Sequence, residues 1–143
     1  MRIGVFGIWV LKMKNAAIKE HHLYNKAFTR GKRYVGRYAA VYVLRDLAAY
    51  RIMKSNPQKQ FVNRLGLSVS KKLGGAVERN RAKRVLRAAY DQNKASLRTG
   101  YLIVISPRVA ILDVKSTLVA QELRTAFGEL GLLIHSNESK ENL

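Results

Sequence analysis

The chain has 143 residues, with 27 Lys and Arg against 9 Asp and Glu and a formal net charge of +18. Its length suits one domain with one core, and a hydrophobic fraction of 48% excludes global disorder. The absence of cysteine excludes disulfides, thiolate zinc sites and a cysteine nucleophile, while the charge excess calls for a polyanion, nucleic acid first and an anionic membrane surface second.

Residues 3–11 form an apolar run between Arg2 and the pair Lys12 and Lys14. The run is far shorter than the ~20 residues of a spanning helix, and no small-residue cleavage pattern follows it. Residues 1–13 are expected to be an extension outside the fold, with Met13 a plausible start. Residues 14–134 are expected to be one domain and 135–143 a polar tail. Helical spacing of Ile18, Leu23, Ala27 and Phe28 predicts a helix over 15–30, stopped at Gly31. The Val- and Tyr-rich stretch YVGRYAAVYVLR predicts a strand over 34–45. By alternation Tyr38, Ala40 and Tyr42 share one face and Ala39, Val41 and Val43 the other, with both faces covered. Residues 46–63 form a polar connection whose first part, 47–53, reads as a short helical turn. A strand follows over 65–70, with Leu67 and Val69 on one face and Gly66, Ser68 and Ser70 on the other. That small polar face suits a groove for a polar ligand better than a core.

Residues 71–75 are a basic, glycine-containing turn, and 76–95 the strongest helix, with Val77, Val85, Leu86, Ala89 and Tyr90 as its apolar stripe. A buried strand spans 100–106. A last helix spans 113–130, with Asp113 or Ser116 as its cap and Leu118, Val119, Leu123, Phe127 and Leu130 as its core face. Long amphipathic helices beside a small sheet give an α+β class, a two-layer α/β sandwich.

The chemistry concentrates in 70–90, SKKLGGAVERNRAKRVLRAAY. At ~100° per residue, Arg79, Lys83 and Arg87 stack into one cationic ridge, flanked by Asn80 and Arg84. Like charges at four-residue spacing destabilise a helix. A surface helix normally intersperses Glu, whereas here Glu78 lies off the ridge near the helix start. Phosphates would complete the pairing, with Arg offering two parallel hydrogen bonds; a solvated basic face is the bland alternative. Tyr24 and Phe28 on the first helix, and Tyr38 and Tyr42 on the first strand, fit ordinary core by periodicity alone. The functional alternative is a stacking platform for unpaired bases. No Ser/His/Asp arrangement stands out, the three histidines are too scattered for a metal site, and Gly74-Gly75 is a weak phosphate signal.

The run GLSVSKKLGGAVERNRAKRVLR over 66–87 resembles the signature of the bacterial ribonuclease P protein subunit. The Arg79-Asn80-Arg81 motif, followed by Lys83, Arg84 and Arg87, carries the likeness. Tyr24, Phe28, Gly31, Lys32 and the strand RYAAVYVL extend it over about 18–133. The resemblance implies a fold like ribosomal protein S5 domain 2, with a left-handed βαβ crossover. It implies a subunit of an endoribonuclease whose RNA holds the catalytic Mg2+ and frees the 5′ end of tRNA, with no metal or catalytic residue on the protein. Lys71, Lys72, Arg79, Asn80, Arg81, Lys83, Arg84 and Arg87 would contact the ribonuclease P RNA. Tyr24, Phe28, Tyr38, Tyr42 and Ser68 would hold the leader of precursor tRNA. One protein per RNA, a cytoplasmic location and no membrane contact follow from the same likeness. Tyr24 stands where Phe is commoner in the family, and the 46–63 connection is longer than usual. A ribosomal-type structural protein and a surface-bound membrane protein are the competing classes.

Overall fold

A computed structural model describes residues 15–134; the expectations for 1–13 and 135–143 lie outside them. Five strands form one sheet: β1 (Ala16–Ala17), β2 (Lys32–Val35), β3 (Ala39–Arg45), β4 (Arg64–Leu67) and β5 (Tyr101–Pro107). Four helices accompany them: α1 (His21–Arg30), α2 (Ala49–Ser55), α3 (Ala76–Asn93) and α4 (Ser116–Glu129). The strand order is β1-β4-β5-β3-β2. The β1–β4 and β4–β5 pairs are parallel, and the β5–β3 and β3–β2 pairs antiparallel.

The main core lies between the sheet and the pair α3 and α4. Val41, Val43, Ile103 and Ile105 from the sheet meet Leu86 and Tyr90 of α3 and Leu123 and Phe127 of α4. Asn93, buried on α3, donates to the carbonyls of Ala89 at 3.1 Å and Ala120 at 3.0 Å, tying the two helices together. β5 is apolar on both faces, and its other face buries Leu102 and Val104 against Ile18 and Ala27 under α1. The main sheet-and-helix sandwich is supplemented by α1, which covers part of the second sheet face, because a strand reading Leu-Ile-Val-Ile needs cover on both sides. α4 ends in paired backbone bonds, Leu132 N–H to the Phe127 carbonyl at 2.8 Å and Gly131 N–H to Gly128 at 3.2 Å. Gly131 supplies the left-handed φ of 79° that this closure requires.

Several boundaries differ from the sequence reading. The first helix starts at His21 rather than at residue 15, because Ala16 and Ala17 pair with Arg64 and Leu65 as an edge strand. The single strand over 34–45 is a hairpin, turning at 36–38, where Gly36 N–H donates to the Ala39 carbonyl at 2.9 Å. Ala39, Val41 and Val43 do share the main-core face, but Tyr38 sits in the turn and packs against that same core, so it does not share a face with Tyr42. Regular β4 ends at Leu67, although Ser68 N–H still reaches the Ile105 carbonyl at 3.0 Å.

Val77 is 76% exposed and Leu118 45% exposed, so neither belongs to its helix's core stripe. Each lies nine residues before a central core residue, Leu86 or Phe127, which at ~100° per residue is the opposite side of the helix. Ala82 on α3, and Ala120 and Ala126 on α4, fill the stripe instead. Neither Asp113 nor Ser116 caps α4; its cap position is Lys115, without a side-chain bond.

Candidate nucleic-acid interface

α3 begins after a tight basic turn. Ser70 accepts the N–H of Lys72 at 3.2 Å, closing a single 3₁₀ turn that sets Lys71 and Lys72 on the surface, before Gly75 opens the helix. Glu78 in the first helical turn faces the positive end of the helix dipole. With Ala82, Leu86, Ala89 and Tyr90 buried against the sheet, the cations are left on the outward flanks. Arg79 and Lys83 are half-buried; Asn80, Arg81, Arg84 and Arg87 are exposed.

Four carboxylates of the fold, Glu20, Asp46, Asp91 and Glu122, are engaged elsewhere. Asp46 takes Arg64 bidentately, Nε to Oδ2 at 2.7 Å and Nη2 to Oδ1 at 2.9 Å, and Glu20 takes Arg64 Nη1 at 2.8 Å. Hydrogen bonding to Asp46 holds the Arg64 guanidinium above its ordinary pKa, against the opposing pull of burial. Asp91 pairs with Lys94 at 3.3 Å and accepts Asn15 Nδ2 at 3.0 Å. Glu122 of α4 collects the N–H groups of Arg37 at 2.5 Å, Tyr38 at 2.9 Å and Ala39 at 3.1 Å, closing the β2–β3 turn. Among the described residues, Lys71, Lys72, Arg79, Arg81, Lys83, Arg84 and Arg87 make no ion pair. The cationic ridge of α3 has no ion-pair partner among the described residues.

The aromatic group divides. Tyr24 lies across β4, where a Cβ on Gly66 would come within 2.7 Å of its ring, so only glycine admits this approach. Burial raises the Tyr24 hydroxyl above its usual pKa. Phe28, partly exposed, meets Tyr42 edge-on, with ring centroids 4.8 Å apart and planes at 89°. Tyr24 and Tyr42 rest on the small core of Ile18, Ala27, Leu102 and Val104. Tyr24 and Tyr42 wall a small core and, like Phe28, keep part of their surface in solvent. Half-buried Ser68 continues the Gly66 side of β4 by alternation. Tyr38 is separate, at the hairpin turn, with the Arg37 guanidinium 5.8 Å from its ring centroid.

A cleft of about 520 Å3 joins the two surfaces at the sheet edge. It is lined by Asn15, the edge-strand residues Ala16 and Ala17, Leu65 and Leu67 of β4, Tyr24 of α1, and Lys83 and Arg87 of α3. Sequence reasoning missed the edge strand, since two alanines carry no strand signal. It also missed the Arg64 cluster and Glu122, whose partners lie far apart in the chain. Among the described residues, no group of three or more His, Asp or Glu could hold a metal ion, and no helix is long and apolar enough to cross a membrane.

The model of the Ribonuclease P family matches residues 13–131. A ribonuclease P protein component from Exiguobacterium sibiricum is 36% identical over 119 residues, covering 83% of this chain and 93% of that protein. One from Clostridium acetobutylicum is 28% identical over 127 residues, covering 89% and 98%. Among solved structures, the Staphylococcus aureus RNase P protein superposes with a TM-score of 0.65 at 24% identity, covering 85% of this chain and all of that one. The Thermotoga maritima RNase P protein superposes with a TM-score of 0.61 at 23% identity, covering 78% and 94%; at these identities the structures speak for the fold. With its basic helix and edge cleft set in that fold, the chain belongs to the ribonuclease P protein family.

Proposed function

We propose that this protein component of ribonuclease P, acting in the processing of the tRNA 5′ leader, docks on the ribonuclease P RNA through α3 and guides the single-stranded leader through the edge cleft. The observation that carries this reading is the cleft itself, which Tyr24 lines together with Lys83 and Arg87. An aromatic face takes an unpaired base in any sequence, and Lys83 and Arg87, which belong to the ridge offered to the ribonuclease P RNA, set the leader beside that RNA. Arg79, Asn80, Arg81 and Arg84, with Lys71 and Lys72 on the preceding turn, extend the positive surface toward the start of α3, where a folded RNA supplies the missing negative charge. Tyr24, Phe28, Tyr42 and Ser68 then serve the leader. Tyr38, at the hairpin turn, contributes to the hairpin rather than to the cleft.

In this reading the protein contributes binding and charge, and the hydrolytic chemistry and its Mg2+ belong to the RNA. One protein per RNA, cytoplasmic location and an S5 domain 2-like fold with a left-handed crossover through α3 complete the proposal. Reconstitution tests it: the protein is mixed with its own organism's ribonuclease P RNA and precursor tRNA at low magnesium. Stimulated 5′ cleavage is expected, and its absence removes the proposal. Tyr24→Ala with Phe28→Ala is expected to weaken binding of long-leader substrate by ~1–3 kcal/mol per stacked base lost. Equal loss on leaderless tRNA would assign these rings to the core alone.

A further inference from the structure

The connection between β3 and β4, residues 46–63, has no part in the reading above. No residue of its helix α2 is buried. The segment is nevertheless built. Asn56 closes its far end, donating to the Gln60 carbonyl at 2.5 Å and accepting the Gln60 N–H at 3.2 Å. Lys59 takes a left-handed φ of 54° there, which non-glycine residues seldom adopt. At its base Asn63 accepts the Tyr101 N–H at 2.9 Å and donates to the Arg98 carbonyl at 2.8 Å.

The segment buries little apolar surface, with Ile52, Met53 and Val62 only partly covered, which is a small return for its lost conformational freedom. Its outward side chains are of two kinds. Leu47 is 84% exposed, Tyr50 60% and Phe61 42%; Arg51, Lys54 and Lys59 stand among them. The Lys54 ammonium lies 4.6 Å from the Tyr50 ring centroid. The segment's one carboxylate, Asp46, is buried and held by Arg64. Uncompensated cations select a polyanion, and exposed rings among them select one with unpaired bases. The arm also leads into the cleft. Its last residues run into Arg64, which pairs with Ala16 in the cleft wall.

We propose that the 46–63 arm prolongs the RNA track of the cleft and binds leader nucleotides of precursor tRNA beyond those held at Tyr24. The proposal rests on the leader reading of the cleft, and its test separates the two. Holoenzyme assembled with its own ribonuclease P RNA is titrated with precursor tRNAs whose leaders either end within the cleft or extend well past it. The triple variant Tyr50→Ala, Arg51→Ser, Lys54→Ser should bind the extended-leader substrate about fivefold or more weakly. It should bind the short-leader substrate and the RNA subunit as the unaltered protein does. Equal loss on both substrates, no loss on either, or a loss of affinity for the RNA subunit overturns the proposal, the last by assigning the arm to the RNA subunit. Failure of the cleft reading shows differently, as indifference of the unaltered holoenzyme to leader length, and removes both. Should the triple variant melt early, Arg51→Ser with Lys54→Ser alone carries the test. It should flatten the salt dependence of extended-leader binding by about 1.4, from ~0.7 per single-strand phosphate contact, and an unchanged slope refutes the arm's role.

Discussion

Neutralising two cations of the ridge, Arg79→Gln with Lys83→Gln, is expected to weaken binding to the ribonuclease P RNA without weakening the fold. Glutamine keeps most of each aliphatic stem, which matters because both side chains are half-buried. Neither cation makes an ion pair within the described molecule, and the one bond lost is the long 3.3 Å contact from Arg79 Nε to the Gly75 carbonyl. Against that small loss, two like-charge pairs at four-residue spacing, Arg79 with Lys83 and Lys83 with Arg87, are relieved by ~0.2–0.5 kcal/mol each. Stability should therefore hold or rise slightly. On the RNA side, each lost phosphate contact lowers the slope of log K against log salt by ~0.9, and two lower it by ~1.8. Raising salt from about 50 to about 200 mM should then cost the unaltered protein roughly tenfold more affinity than the variant. Titration of labelled ribonuclease P RNA across that range reads the slope, and urea unfolding reads the stability. Parallel slopes would mean that these groups face no phosphate, and a loss of more than ~1 kcal/mol in urea would mean that they serve the fold.

Gly66→Ala puts a Cβ within 2.7 Å of the Tyr24 ring and should cost about 1–3 kcal/mol; adding Tyr24→Ala should recover part of it, and strict additivity in the double-mutant cycle would refute the contact. Glu122→Ala strips the Arg37, Tyr38 and Ala39 N–H groups of their acceptor. Unfolding free energy should fall by about 2–3 kcal/mol, with faster hydrogen exchange at those amides, and unchanged exchange would show the turn to be held by other means. Burial holds the Tyr90 hydroxyl above its ordinary pKa of 10.0, despite its hydrogen bond with Asn63. Its contribution to stability is complete below pH 10 and declines above it, because the unfolded chain releases that proton first, at up to ~1.4 kcal/mol per pH unit. Tyr90→Phe should remove that alkaline slope in urea unfolding from about pH 9 to 11, and a slope unaltered by the substitution would place its origin in other groups.

The sequence made some parts of this molecule readable because they are local. The parity of 39–43 gives the main-core face of β3, and the continuous apolar run of 102–105 gives a strand covered on both sides. The cationic ridge is read from one helical period, and its members stand on the flanks of α3 without an ion pair among the described residues. The hairpin at 36–38 was hidden because its turn is held by a carboxylate 83 to 85 residues away. Val77 and Leu118 lie off their core stripes because hydrophobicity alone carries no helical phase, and the alanines that fill the stripes carry little hydrophobic signal.

The cleft was beyond a local reading for a deeper reason. Its two halves, Tyr24 on one face of the sheet and Lys83 with Arg87 on the other, meet only because β1 extends the sheet edge beside β4. That pairing involves two alanines, whose side chains specify almost nothing. What fixes the arrangement lies beside it: Arg64, the first residue of β4, grips Asp46 at the end of β3 and Glu20 at the start of α1. A guanidinium buried with one carboxylate and reaching a second, exposed one gains little net stability over an apolar substitute, but its fork admits one geometry. It holds the start of α1, and with it Tyr24, at a set place relative to β4. In a chain with 27 cationic residues and 9 acidic ones, two of the few carboxylates are committed to that anchor, and the basic face of α3 is left without them.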